Sequence, residues 1–296
     1  MKLLPALAIG LAFASAFPME TGSAAEKPAA EPHASAEKRR GPQFAFVCLK
    51  SDKKPDDAAL KKSLAGWFSL RSVDDIKAEE PTSMNGKSVR PFIIEGRTYM
   101  IAQADFPIPK ADISYACANS FFWPDAKAAL EQQKGHLIVI VQGEFESPAH
   151  EGMALSRAIA ACSECYDSLA VYWGHANTVQ KPESFQNVIR QSGTAVEKLP
   201  VPAWVGFLRA RNKDGGMDIY TSGLGAFGAM EIEVVGTTQK TSDILGKMTG
   251  LSAYLIASGN VIKDGDTIGG SENEKIKTRH AESVIGRKGK VLRVEF

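Results

Sequence analysis

The stretch GLGAFG, from Gly223 to Gly228, carries glycines in the spacing G-x-G-x-x-G, and the residues after it limit the folds open to this chain. In a dinucleotide-binding turn the glycines open a helix, whose N-terminus receives the pyrophosphate. Here the continuation is AMEIEVV. Met230, Ile232 and Val234 alternate with Glu231, Glu233 and Val235, a period of two rather than the helical 3.6. The pattern predicts a strand leaving a glycine-rich turn, with no helix dipole to offer and two glutamates that repel phosphate. No cofactor site is expected at these glycines.

The rest of the body alternates strand and helix signals. FAFVCLK places Phe44, Phe46 and Cys48 on alternate positions, so it reads as a strand. In DDAALKKSLAGWF, Leu60, Leu64 and Trp67 follow helical spacing behind an Asp cap. Two strands are expected near 90–94 and 98–104, joined at Glu95-Gly96. Helix interrupted at Trp123-Pro124 should fill 110–133, and HLIVIVQGEF reads as an apolar, central strand. Beyond it come a helix near 151–166, the strand LAVYWG and a helix near 183–190. Strands are expected near 204–210, 217–221 and 229–235. A helix capped by Thr241 or Ser242 should carry the stripe Ile244, Met248, Leu251 and Leu255 and stop at Gly259-Asn260, with short strands at 261–262 and 291–294. The fold class is therefore α+β, with mixed or antiparallel sheets and helices. The element order predicts two ferredoxin-like β-α-β-β-α-β units, 43–148 and 149–296, packed as one body. No residue-level repeat links the halves, so duplication rests on element order alone.

The N-terminus is different in kind. MKLLPALAIGLAFASAF joins one Lys to a short apolar run, with small-x-small triplets at Ala14-Ser15-Ala16 and Ser23-Ala24-Ala25. That is the pattern of a cleaved secretory signal over 1–25, its apolar core shorter than the roughly 20 residues a bilayer span needs. Residues 26–42, EKPAAEPHASAEKRRGP, hold no apolar period and read as a disordered leader, with Lys38, Arg39 and Arg40 a solvated basic knot. The expectation is an exported protein, periplasmic or secreted, with no stable membrane anchor after signal cleavage. A formal net charge of +1, from 35 basic and 34 acidic residues, offers no electrostatic case for a nucleic-acid partner.

The words HLIVIV, AVYWG, PAWVGF, YTSGLGAFGAMEIEV and DGDTIG, in this order, resemble the bacterial family of domain of unknown function 4261, over about 44–277. GLGAFGAMEIE and DGDTIG are its most specific parts. The resemblance implies a kind of protein and no catalytic residues, since the family has no established activity.

Candidate chemistry is sparse. Cys162-Ser163-Glu164-Cys165 is a C-x-x-C, but it lies late in a predicted helix, at the wrong end of the dipole for a reactive thiol, so small buried side chains are expected. Whether Cys48, Cys117, Cys162 and Cys165 form disulfides is left open. No metal site is expected, for want of a second Cys or His pair at ligand spacing. His33 lies in the leader. His136, Glu144, Glu146, His150 and His175 are the one cluster to search for acid-base or metal chemistry, against the alternative of satisfied core histidines and solvated glutamates. DGDTIGGSENE has calcium-loop composition, but Ile268 occupies the third ligand position and a tight turn explains it more simply. Trp123, Tyr172, Trp173, Trp204 and Phe207 sit beside Gly or Pro at element ends; together they are either a protein or peptide groove or ordinary core. Two functional classes remain. The first is a non-catalytic binding or inhibitory, immunity-like module of the cell envelope. The alternative is a hydrolase built near His136, Glu144 and His175.

Overall fold

The structure, a computed structural model, describes residues 43–53, 55–84, 87–269 and 274–296. The expected signal and leader over 1–42 lie outside the described residues. Strand β1 (Phe44–Leu49) turns Ala45, Val47 and Leu49 to one face and Phe46 and Cys48 to the other. Helix α1 (Asp57–Phe68) is capped by Asp56, whose carboxylate accepts from Ala59 N, and buries Leu60 and Leu64. Short β2 (Lys77–Ala78) and β3 (Thr82–Met84) precede the hairpin β4 (Lys87–Ile94) and β5 (Arg97–Ala104). Its turn residues Glu95 and Gly96 both have positive φ, the requirement of a two-residue hairpin matched to strand twist.

Helices α2 (Lys110–Asn119) and α3 (Ala126–Leu130) separate around Pro124, and β6 (Gly135–Gln142) comes next. Helix α4 (Pro148–Cys165) starts at the Ser147 cap and leads to β7 (Ser168–Trp173) and β8 (Thr178–Gln180). Then come α5 (Pro182–Arg190), α6 (Val201–Trp204), β9 (Gly206–Arg211), β10 (Met217–Ser222) and β11 (Ile232–Thr237). Helix α7 (Thr241–Ser258), β12 (Thr267–Ile268), β13 (Ile276–Glu282) and β14 (Lys290–Glu295) complete the described chain.

Three local expectations need correction. Trp204 ends α6 instead of opening a strand. Thr241 is already helical behind Lys240, which makes no side-chain cap bond. Val261 and Ile262 form no strand; Ile262 instead buries in the core as the chain leaves α7 through Gly259, whose left-handed backbone ends the helix.

The α+β class holds, with two sheets, but the pairing is not that of two ferredoxin-like units. An 8-stranded sheet runs β2-β4-β5-β6-β1-β7-β8, with β3 also on β4. All its pairings are antiparallel, β1 lying between β6 and β7. A ferredoxin-like unit over 43–148 would place β1 between β5 and β6, whereas β6 lies between β5 and β1. The split β-α-β that is present, β6 and β7 joined by α4 around β1, crosses the expected boundary at residue 148. Strands β7 and β8, which come after residue 148, join this sheet because LAVYWG is apolar on both faces and needs cover on both. The 6-stranded second sheet, β12-β13-β14-β11-β10-β9, is mixed, with β11 parallel to β14.

Each face of the first sheet has its own cover. Helices α2 and α3 bring Ile113, Ala116, Trp123 and Leu130 against Cys48, Ala170 and Tyr172. The opposite face packs on α1 and α4, in one core continuous with α7 and the inner face of the second sheet. Helix α4 is rich in Ala, Gly and Ser, so backbone can approach it from several sides, and most of its residues are buried. Between the sheets the rings of Phe185, Trp173, Trp204 and Phe227 stack in series, with centroids 6.2, 6.4 and 5.1 Å apart. Trp204 Nε1 donates to Ser156 Oγ on α4 at 2.8 Å, so the indole is buried with its polar atom satisfied.

Candidate functional site

The glycine turn is filled by the chain itself. After a short 3-10 turn over Leu224–Phe227, β11 runs extended and pairs with β10 and β14, as the alternation predicts. Gly223 and Gly228 adopt positive φ, and a Cβ on Gly223 would meet Trp204 O at 2.5 Å. The carboxylate of Glu231 folds back under the turn. Its Oε1 accepts from Gly223 N at 2.8 Å and Gly225 N at 3.3 Å, and its Oε2 from Thr221 Oγ1 at 2.6 Å. Arg287 lies 3.9 Å from the same carboxylate and donates to Thr221 O at 2.6 Å. The amides that would cradle a phosphate therefore hold an internal anion. A carboxylate three residues beyond the last glycine of such a turn is the signal that could have revealed this role.

Glu233, on the same face, is fully buried. The segment after β13 crosses over it, and the carboxylate accepts from Ser283 Oγ, Val284 N and Arg293 Nη2 at 2.5, 3.1 and 2.9 Å. Burial of a charge is tolerable here because every contact is a donor and one is a cation. The acidic word DGDTIG is a turn of the same construction. Asp264 accepts from His280 N, Asp266 accepts from Lys263 N, and Thr278 N donates to the Asp266 carbonyl. Its carboxylates are engaged by backbone amides.

The histidine and glutamate candidates are spread along β6 and beyond. His136, buried at the start of β6, donates from Nδ1 to Phe106 O at 2.9 Å and lies between the rings of Phe46 and Phe106. Glu144 stands past the other end of the strand, which alone spans roughly 20 Å from His136 at about 3.3 Å per residue. Its side chain is exposed, while its carbonyl accepts from Arg97 Nε. Glu146 and His150 do meet, Oε2 to Nε2 at 3.1 Å, on the first turn of α4, where Ser147 Oγ holds His150 Nδ1 at 2.9 Å. His175 packs its ring on Phe44 at 4.7 Å, and its carbonyl accepts from Ser222. Among the described residues no group of three or more His, Cys, Asp or Glu could hold a metal ion.

All four cysteines are free. Cys162 and Cys165 close α4, as their place in the sequence predicts. Burial pushes the Cys162 thiol well above its usual range, with Cys165 adding to the effect, and burial also raises Cys165. Cys48 is raised likewise by burial, then by Cys117 beside it. Buried, protonated thiols are poor nucleophiles.

Of the aromatic element ends, Trp123, Tyr172, Trp173 and Trp204 are core and Phe207 packs against it. The exposed aromatics are others. Tyr115, Phe121 and Phe122 are 51%, 41% and 53% exposed around the end of α2. The Arg209 guanidinium of β9 lies 4.0 Å over the Phe121 ring, and Phe121 and Phe122 meet edge-on at 5.6 Å. Tyr220, on the neighbouring strand, is held above the usual tyrosine range by burial and then by nearby Tyr115. Sequence reasoning missed this face because FFWPD reads as a helix break, and exposure is decided by what packs on it.

A cavity of ≈ 730 Å³ opens between α7 and the β12–β13 hairpin, lined in part by Leu251, Tyr254, Ile262, Ile268 and Phe296. The glycine turn, the buried Glu233–Arg293 pair, the DGDTIG turn and this cavity all lie in one stretch of sequence. Residues 220–295 match the family Domain of unknown function (DUF4261). The resemblance seen in GLGAFGAMEIE and DGDTIG is borne out there, and the words upstream, HLIVIV to PAWVGF, lie outside the match. No curated protein and no solved structure matches the chain. In the matched segment, the two most specific words are turns that bind their own carboxylates. They maintain a fold more directly than they do chemistry.

Proposed function

We propose that this protein is an exported, non-catalytic binding module of the cell envelope that captures a protein partner through its exposed aromatic face. The observation that carries this is the exposed pair Phe121 and Phe122, meeting edge-on, with Arg209 over the Phe121 ring and exposed Tyr115 on the preceding helix. Aromatics and arginine are the residues that dominate protein interfaces, because large rigid surfaces lose little entropy when buried. Arg209 has no carboxylate partner among the described residues, and its guanidinium, already ordered on Phe121, is free to take one in bidentate fashion. The partner is accordingly a folded protein presenting an acidic side chain flanked by apolar ones. Occlusion of that partner is the inhibitory, immunity-like action of such a module. The signal-like sequence of 1–25 supports export. No helix among the described residues is long and apolar enough to cross a membrane.

The test is photocrosslinking in expressing bacteria, with a photoreactive phenylalanine at position 122 and, as control, at Tyr254. A discrete protein adduct at 122, absent at 254 and lost in Arg209→Glu, supports the reading. Equal labelling at both positions, or labelling indifferent to Arg209→Glu, overturns it. Export is checked separately by mass spectrometry of the mature N-terminus: a chain beginning after Ala16 or Ala25 is expected, and an intact Met1 in the cytoplasmic fraction refutes it.

A further inference from the structure

The geometry points to a second, independent binding site: the cavity between α1, α4 and α5 takes a small oxyanion-bearing molecule, held by Arg157 and Lys62. This cavity encloses ≈ 620 Å³, within the size range of small-molecule sites, and is lined by three cations, Lys62, Arg157 and Arg190, against one carboxylate, Glu164. That carboxylate is already engaged. Glu164 Oε2 accepts from Ser63 Oγ at 2.6 Å and Trp67 Nε1 at 3.1 Å, and Oε1 lies 3.6 Å from Arg190, which is stacked 4.6 Å over the Trp67 ring. The nearby carboxylates at the start of α1 are also occupied: Asp56 caps the helix and Asp57 pairs with Arg90.

Arg157 and Lys62 are left without a carboxylate among the described residues. Arg157 is half-buried on α4 and lines the cavity, its guanidinium 6.0 Å from the Phe68 ring. A half-buried guanidinium beside an exposed ammonium, neither with a carboxylate partner among the described residues, matches a phosphate or carboxylate group. Nothing in this site depends on the aromatic face, which lies on the α2 side of the first sheet.

Trp67 supplies the readout, because the other three tryptophans are buried in the core. The intact mature protein is titrated at low salt with pyrophosphate and, separately, with citrate, following tryptophan fluorescence and heat of binding. Saturable binding of either anion is expected, weakened roughly tenfold by Arg157→Gln and by Lys62→Gln, and by added salt. Saturation by pyrophosphate alone assigns a phosphate ligand, and by citrate alone a polycarboxylate. Lys62→Gln, on the exposed side of α1, keeps the test valid if Arg157→Gln disturbs folding. Failure of both anions to saturate the wild type, or equal affinity in the wild type and Lys62→Gln, overturns the proposal.

Discussion

At the scale of single residues, two glutamates decide how the second sheet is held together. Glu231 stands in for an external anion beneath the glycine turn, so Glu231→Ala leaves the Gly223 and Gly225 amides and the Thr221 hydroxyl without their acceptor. A loss of about 1–3 kcal/mol is expected in urea unfolding, and a sulfate- or phosphate-dependent recovery of stability should appear where the carboxylate was. Glu233→Ala is expected to be worse, by about 3–5 kcal/mol, because it leaves the Arg293 guanidinium buried and unpaired. Replacing both partners together, Glu233→Met with Arg293→Leu, should recover much of that loss. An equal loss in the double variant would mean that the bonds to Ser283 and Val284, not charge pairing, hold the segment.

At the scale of elements, close approach matters more than propensity. The start of β9 is so near the turn after β7 that a Cβ on Gly206 would fall 2.2 Å from Ala176 O. Gly206→Ala should therefore separate the two sheets locally and lower the melting temperature by several degrees, as a loss of about 1–3 kcal/mol does. The stacked rings predict a larger effect: Trp204→Ala empties a site between Trp173 and Phe227 and should cost about 3–5 kcal/mol. These elements were legible before their meeting was. The alternation in AMEIEVV, the Asp cap of α1 and the turn at Glu95-Gly96 are local features, and each element formed as its pattern indicates. The place of LAVYWG was not local: its apolar faces mark it as a buried strand, but the choice of β1 as partner depends on residues more than a hundred positions away.

At the scale of the whole molecule, one core serves both sheets, so the parts should not be separable. A fragment of residues 220–295, the extent of the family match, loses β9, α4 and Trp204, and cuts into β10. It should show no cooperative unfolding transition by circular dichroism. The core also sets the alkaline limit of stability. Burial raises the thiols of Cys48 and Cys162 and the hydroxyls of Tyr99, Tyr166 and Tyr172. Their folded values lie above the unfolded ones, so the stability they contribute is complete below the ordinary thiol value of about 8.5. It is lost as pH rises, first through the thiols and then past about 10 through the tyrosines. Urea midpoints measured from pH 7 to pH 11 should be level at first and then fall; a midpoint level to pH 11 would contradict the burial of these groups.

The amino-acid sequence alone determined the α+β class, the extended run after the glycine turn, the buried stripe of α7 and the late position of the C-x-x-C, because each depends on side-chain period or turn chemistry within a few residues. Only the tertiary structure decided that β7 extends the first sheet, that Glu231 and Glu233 are held by donors from distant segments, and that His136 and Glu144 stand at opposite ends of one strand. It also decided which aromatics are covered, turning Trp173 and Trp204 inward and leaving Phe121 and Phe122 outside. A side chain's period selects a face, but whether that face meets water depends on which distant segment crosses over it.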